Sequence, residues 1–402
     1  MLRTNVATHL LVACFLGVLA VPVGAITTTP SWKPVEVAYN LPDASATYGA
    51  DRMLAYDHHG NPGIAHIDTI NLSLDYARRV PGVGWHNVEV DPNGGNFPSL
   101  AFDRYERPAI SYSQSSSSGL GFAHFDGTNW QVETADATDG SWTSLAFDIL
   151  GHAAIAYTSD FPFSMKYVRD TDGDFSFIDE TPVTVASVDN EGAFSSLAFD
   201  PLNRPMIAHM AVDTNELRFS VEEPGIGWIT TTVDTHTPSP TYGAFIPSLA
   251  IDPDTNYPAI AYGGGSTGLR YAAWNGVNWD LTTVDSSGTD VGTFSSLAFD
   301  PADGHPAISY NSEQTPDELR FAWHDGSIWQ TQTVDSGGDI FQSSLAFNDF
   351  GNGFASIAYV GGSSFDLNFI EDPPAVPEPA SALLMIFGLA STCLCRSRQT
   401  TA

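Results

Sequence analysis

From residue 52 to residue 371 the chain is a succession of short apolar runs broken by Gly, Pro, Asp and Asn, and nowhere do apolar positions recur at helical spacing. The runs themselves repeat. "PSLAFD" at 98 returns as "TSLAFD" at 143, "SSLAFD" at 195, "PSLAID" at 247, "SSLAFD" at 295 and "SSLAFN" at 343, with a weaker copy, "RMLAYD", at 52. The anchoring leucines, Leu54, Leu100, Leu145, Leu197, Leu249, Leu297 and Leu345, stand 46, 45, 52, 52, 48 and 48 residues apart.

Each copy holds four strand-like pieces. The "SLAFD" piece comes first. A "PAIAY" piece follows, with Ile and Tyr or His two apart on one face, as in Ile110/Tyr112 and Ile207/His209. A third resembles "LRFA", and a fourth runs from tryptophan to aspartate, as in "WDLTTVD". Asp126-Gly127, Asn275-Gly276 and Asp325-Gly326 separate third from fourth and demand the positive φ of tight hairpins. Four antiparallel strands per unit, seven units and no helix predict an all-β fold, a seven-bladed β-propeller of four-stranded blades.

A ring must close, or it leaves unpaired edges. The last copy stops at Glu371 without its tryptophan strand, and the missing piece stands at the other end: Trp32 to Val37 align with Trp329 to Val334. The N-terminal strand is therefore predicted to complete the seventh blade. Removing residues 31–40 would strip that blade of its outer strand.

The termini set the location. Residues 1–25 read as a secretory signal peptide, an apolar stretch behind Arg3 ending in small residues. At the other end Pro377-Glu378-Pro379 precedes an apolar stretch from Ala382 to Leu394 and then Arg396 and Arg398. That order resembles the PEP-CTERM sorting signal. The resemblance covers about the last 27 residues, within a sorting tail of residues 372–402, and implies transient insertion in the inner membrane, cleavage by an exosortase-type enzyme and delivery to the cell surface or an extracellular matrix. The propeller is expected to occupy residues 26–371. Cys14, Cys393 and Cys395 all lie in the removable ends, so the propeller must fold without disulfides. With 47 acidic and 15 basic residues and a formal charge of −32, nucleic acid and anionic membrane surfaces are excluded as partners.

Candidate chemistry is repetitive. Trp32, Trp85, Trp130, Trp228, Trp279 and Trp329 open the fourth strands, with Phe175 or Phe177 standing in for the third repeat; their regularity predicts packing rather than sugar stacking. The "DG" and tryptophan spacing resembles the Asp box of sialidase-type propellers, but the preceding serine is missing, so no catalytic residue carries across. Arg218, Arg270, Arg320 and Lys166 share one third-strand position and are expected to answer aspartates of their own blades. Asp57, Asp103, Asp148, Asp200, Asp252 and Asp300 end the first strands and are expected to cap turns. Asp91, Asp136, Asp189, Asp234, Asp285 and Asp335 end the fourth strands on the opposite face; clustered carboxylates of this kind suit calcium, which makes them the metal candidates, and no other cofactor is indicated. "DTDGDF", with Asp170, Asp172 and Asp174, fails the EF-hand spacing and reads as an acidic hairpin tip. An aromatic series precedes the first strands in the loops between blades: Phe97, Trp142, Phe194, Phe245, Phe294 and Phe341. These are the binding candidates, on the face of the variable loops.

Catalysis needs unlike groups in one place, whereas almost everything here is one group repeated. The sequence therefore points to a non-enzymatic binding or scaffold protein, for polysaccharide or other surface proteins. The alternatives are a propeller-type glycan hydrolase or lyase and a calcium-dependent adhesive surface.

Overall fold

The computed structural model describes residues 30–33, 36–39, 52–68, 70–114, 119–235, 246–288, 290–313, 316–349, 353–361 and 366–372. The signal peptide, the sorting motif Pro377, Glu378 and Pro379 with its apolar stretch, and Phe245 lie outside these residues.

Each repeat forms one four-stranded antiparallel sheet, and seven sheets make the ring. In the first blade the inner strand is Leu54–Tyr56, the second Pro62–Asp68, the third Ser73–Val80 and the outer Gly84–Asp91. Second strands are apolar on both sides because both their faces meet other blades: Ile64, Ile110, Ile155, Ile207, Ile260, Ile308 and Ile357 are all fully buried. Outer strands mix partly buried and exposed positions, as the half-wet edge of a sheet requires. The described apolar core divides into seven clusters, one at each junction between blades. The "DG" and "NG" turns behave as their chemistry dictates, with φ of 103° at Gly127, 93° at Gly276 and 89° at Gly326.

The seventh blade closes as the sequence implies. Its inner strand is Ile340–Phe347, its second Ala355–Gly361 and its third Asp366–Asp372, so the repeat ends one residue beyond Glu371. Its outer strand is Glu36–Tyr39, antiparallel to the third, with Glu36 facing Phe369 and Val37 facing Asn368. Elsewhere Gln332 faces Phe321 and Thr333 faces Arg320, so the clasp carries one more residue after its tryptophan than the alignment with Trp329 to Val334 predicted. Lys33 N–H donates to the Glu371 carbonyl at 2.8 Å, Ser31 N–H to Asp372 Oδ1 at 2.7 Å, and the buried Glu371 carboxylate receives both Lys33 at 2.7 Å and Arg79 at 2.8 Å. Arg79 belongs to the first blade, so one carboxylate ties together both termini of the ring.

Among the described residues no backbone ladder joins the inner strands of neighbouring blades, and side chains take its place. The hydroxyl of each motif serine accepts the N–H of the leucine one blade on: Ser99 from Leu145, Ser144 from Leu197, Ser196 from Leu249, Ser248 from Leu297, Ser296 from Leu345 and Ser344 from Leu54, all within 2.9–3.1 Å. In the weak copy Met53 has no hydroxyl. There the Leu100 N–H turns to the Arg52 carbonyl instead, at 2.8 Å. Seven links close a second, inner ring.

Candidate functional site

The fourth-strand tryptophans pack, and each does so across the junction between blades. Trp32 meets Phe321 edge-on, Trp85 Phe369, Trp130 Tyr76, Trp228 Tyr167, Trp279 Phe219 and Trp329 Tyr271, with centroids 5.0–5.5 Å apart. Each partner is the third-strand aromatic of the preceding blade. In the third repeat Phe177 fills the slot against Phe122 at 4.9 Å, while Phe175 lies over Phe147, His124 and Arg107.

The fourth-strand aspartates stand at separate junctions. Each accepts a hydroxyl from the second-strand tyrosine of the next blade: Tyr112 to Asp91 at 2.5 Å, Tyr157 to Asp136 at 2.7 Å, Tyr262 to Asp234 at 2.8 Å, Tyr310 to Asp285 at 2.6 Å and Tyr359 to Asp335 at 2.5 Å. Burial, together with the aspartate charge, raises these phenols well above their usual value, so they remain donors. The third-strand cations join the same pairs, Lys166 to Asp136 at 3.3 Å, Arg270 to Asp234 at 3.1 Å and Arg320 to Asp285 at 2.6 Å. They thus answer aspartates of the preceding blade, and the own-blade expectation is corrected. The reason is geometric: a third-strand side chain on this sheet face points at the neighbour. At Asp189 no tyrosine is available, because His209 holds the position, and Arg218 approaches at 3.4 Å. His209 bonds Ser220 at 2.9 Å and His66 bonds Asn87 at 2.8 Å, both within their own blades. Burial, then the Arg218 charge, lowers His209 to about 3, and burial also lowers His66, so both imidazoles are neutral.

The first-strand aspartates cap their turns: Asp103 accepts the N–H groups of Tyr105 and Arg107, Asp148 those of Leu150 and His152, and Asp200 those of Leu202 and Arg204. Among the described residues the one group of three or more potential metal ligands with ligand atoms within 4.8 Å of each other is Asp170, Asp172 and Asp174. Asp170 is buried and accepts from Gly173 and Phe175 N–H.

Of the binding candidates, Trp142, Phe194, Phe294 and Phe341 lie inside inner strands, not in loops. Phe97, Trp142, Phe194 and Phe294 share φ of 46–58°, where a bulge turns the ring sideways. Phe341 stands one residue out of phase, and Gln342 takes the positive-φ slot at 53°. The structure brings three of them together: Phe97 meets Trp142 at 5.5 Å and Trp142 meets Phe194 at 4.8 Å. Phe163 continues the run from Trp142, and Phe161, 75 % exposed, ends it. Phe294 is buried.

The central channel, about 410 Å³, is lined by the motif alanines Ala55, Ala101, Ala250, Ala298 and Ala346. Arg52 reaches from the first blade across to the Leu249 carbonyl of the fifth, at 2.6 Å. Its charge stands at the start of an inner strand and Asp349 beyond the end of another, at opposite mouths.

Two clefts of closely similar build open on the flank of the ring, about 510 Å³ between blades one and two and about 520 Å³ between blades four and five. Both are floored by an interblade aromatic pair, Tyr76 with Trp130 and Phe219 with Trp279. Both gain a second aromatic from the following hairpin, Phe125 in the first and Trp274 in the second. The second adds Tyr257, 41 % exposed, and Arg204, held by Asp200 at 2.7 Å and Glu223 at 2.5 Å.

No protein-family model matches the chain, and no curated protein sequence does. Solved structures that resemble it include AofleA from Arthrobotrys oligospora, at 15 % identity over 67 % of this chain and 80 % of that one, with a TM-score of 0.46. The Hadza microbial sialidase Hz136 is 12 % identical over 83 % of this chain and 67 % of that one, at 0.47. A lectin from Aleuria aurantia in complex with Fucα1-6GlcNAc is 12 % identical over 68 % of this chain and 92 % of that one, at 0.45. Identity this low conveys no residue role.

The clefts escape a search for periodic residues because their distinguishing side chains are not periodic. Trp274, Tyr257, Arg204 and Arg78 sit at positions that vary from blade to blade. What signal exists is the hairpin residue five before each fourth-strand aromatic, which is aromatic in Phe125 and Trp274.

Proposed function

We propose that the protein is an exported, surface-sorted or matrix-associated binding module that holds polysaccharide, without turnover, in its two interblade clefts. The paired construction of those clefts carries the reading. Each offers aromatic faces for the apolar side of a sugar ring and adjacent polar groups for its hydroxyls, the composition that ligand pockets favour. In the second cleft three guanidinium donors of Arg204 are committed to Asp200 and Glu223, which fixes the fork and leaves its other N–H groups for a ligand. The exported location is supported by the N-terminal apolar stretch and by the Pro377, Glu378, Pro379 tail, with an exosortase-type enzyme as processing partner.

The test is a panel of soluble oligosaccharides read for binding by calorimetry and for released sugar by chromatography. Loss of the second cleft's binding, with that of the first kept, in a Tyr257→Ala, Trp274→Ala variant supports the module. Accumulating product would replace it with a glycan-active enzyme, and binding insensitive to those substitutions would move the site elsewhere.

A further inference from the structure

The two clefts share a frame but differ in one wall. Two residues beyond the aromatic that receives the tryptophan, the third strand of blade four carries Val221, paired across the sheet with Ile229 of the outer strand. The same two positions in blade one are Arg78 and His86, again directly paired. An apolar pair in one cleft is thus a guanidinium beside an imidazole in the other.

Arg78 is unusual in this chain. Nine of the described Lys and Arg side chains hold carboxylates: Lys33, Arg79, Arg107, Lys166, Arg169, Arg204, Arg218, Arg270 and Arg320. Arg52 and Arg104 donate to the backbone carbonyls of Leu249 and Leu150. Arg78 alone among the described Lys and Arg residues has neither, although carboxylates outnumber basic residues 47 to 15. The acids that line the same cleft are engaged: Asp57 accepts from His59, Asn61 N–H and the Asn61 amide, and Glu106 pairs with His58 and His59. An exposed guanidinium beside an exposed imidazole, facing aromatic rings and spared from internal pairing, suits an external anion.

We infer that the cleft between blades one and two selects a carboxylated sugar, one that stacks on Trp130 and Phe125 while its carboxylate meets Arg78 and His86, whereas the cleft between blades four and five takes neutral sugar. This rests on the reading of both clefts as glycan sites. The chain's charge of −32 limits the ligand further. A uniformly charged polyanion is repelled along its length, but an isolated uronate among neutral sugars is not, since charges beyond about 8 Å are screened at physiological salt. The ligand is therefore a polysaccharide with widely spaced acidic residues.

The test uses the full propeller, clasp included, with a panel of oligosaccharides bearing one uronate per repeat and the same compounds after carboxyl reduction. Arg78 and His86 are exposed and, among the described residues, hold no side-chain hydrogen bond or ion pair, so Arg78→Ala should melt like the parent. Acidic probes should bind it about tenfold more weakly, the scale of one lost charged hydrogen bond. The reduced probes should bind both proteins alike. Val221→Arg with Ile229→His should raise the stoichiometry for an acidic probe from one to two. If acidic and reduced probes bind equally, or Arg78→Ala leaves acidic binding unchanged, the charge selectivity is wrong while the glycan reading stands. If no member of either panel binds the parent protein, the glycan reading falls and takes this inference with it.

Discussion

Trp32 meets Phe321 edge-on at a centroid separation of 5.1 Å, and the two residues belong to opposite ends of the chain. The same contact occurs within the continuous chain as Trp329 on Tyr271 at 5.2 Å. The N-terminal strand therefore enters the ring as a structural equal of the internal outer strands, held by the same interblade contact and by Glu371 between Lys33 and Arg79.

Trp32→Ala should cost about 2–4 kcal/mol, somewhat below a fully buried Trp→Ala because the ring is partly exposed. Urea unfolding followed by fluorescence measures it against Trp329→Ala, and the two should agree within about 1 kcal/mol. A Trp32→Ala protein as stable as the parent would mean the ring closes without its clasp.

Ser144→Ala should cost about 1–3 kcal/mol, because it leaves the buried Leu197 N–H without its acceptor. Ser144→Thr retains the hydroxyl and should recover part of that loss. Equal stability of the alanine variant and the parent, read from chemical denaturation, would show that water or backbone replaces the serine link.

The aspartates at the junctions predict an acid-side loss of stability. Burial works against ionised Asp136, but the Thr138 N–H, the Tyr157 and Thr138 hydroxyls and the Lys166 charge outweigh it and hold the carboxyl below its usual value. A depressed folded pKa gives stability that is complete above the unfolded value of about 4 and disappears as pH falls through the folded one. Asp285 has the same sign, through Tyr310, Ser287 and Arg320 acting against burial. Glu191 has the opposite sign, raised by burial that Arg218 only partly offsets, so its contribution declines as pH rises. Asp136→Asn should therefore be less stable than the parent at pH 7, with the gap narrowing below about pH 4. A gap independent of pH would show that Asp136 acts through shape alone.

Tyr257→Ala should lower glycan affinity between about twofold and tenfold, the worth of one aromatic contact, and leave the melting temperature within about 1 °C. Its ring is exposed at the cleft rim and no interblade aromatic pair depends on it. Trp279→Ala should lose both affinity and stability, since Trp279 also seals blade four to blade five. If Tyr257→Ala melted as low as Trp279→Ala, the rim position would be structural.

Much of the fold was legible because the repeat is strict. The leucine spacing gave seven blades, the glycine turns gave hairpins, and an orphan tryptophan at residue 32 gave the clasp. The serine before each leucine was visible in every strong copy, but its role was not, since a hydroxyl's partner in a neighbouring blade lies 45 residues or more away in sequence. The aromatic series was legible only in part. Phe97, Trp142 and Phe194 do converge, whereas Phe341 is displaced by one residue, and a strand bulge that produces such a shift leaves no periodic mark.

By itself the sequence determined which elements form and how many, because strand period, turn chemistry and repeat length act locally and recur. The tertiary structure decided which residues meet across a junction. The destination of Arg270 at Asp234 rather than within its own blade, and the contrast between Arg78/His86 and Val221/Ile229 in otherwise matching clefts, depend on one sheet facing the next. A side chain's neighbour in the adjoining blade is set by how the sheets stack around the ring, and no residue spacing within one repeat encodes that distance.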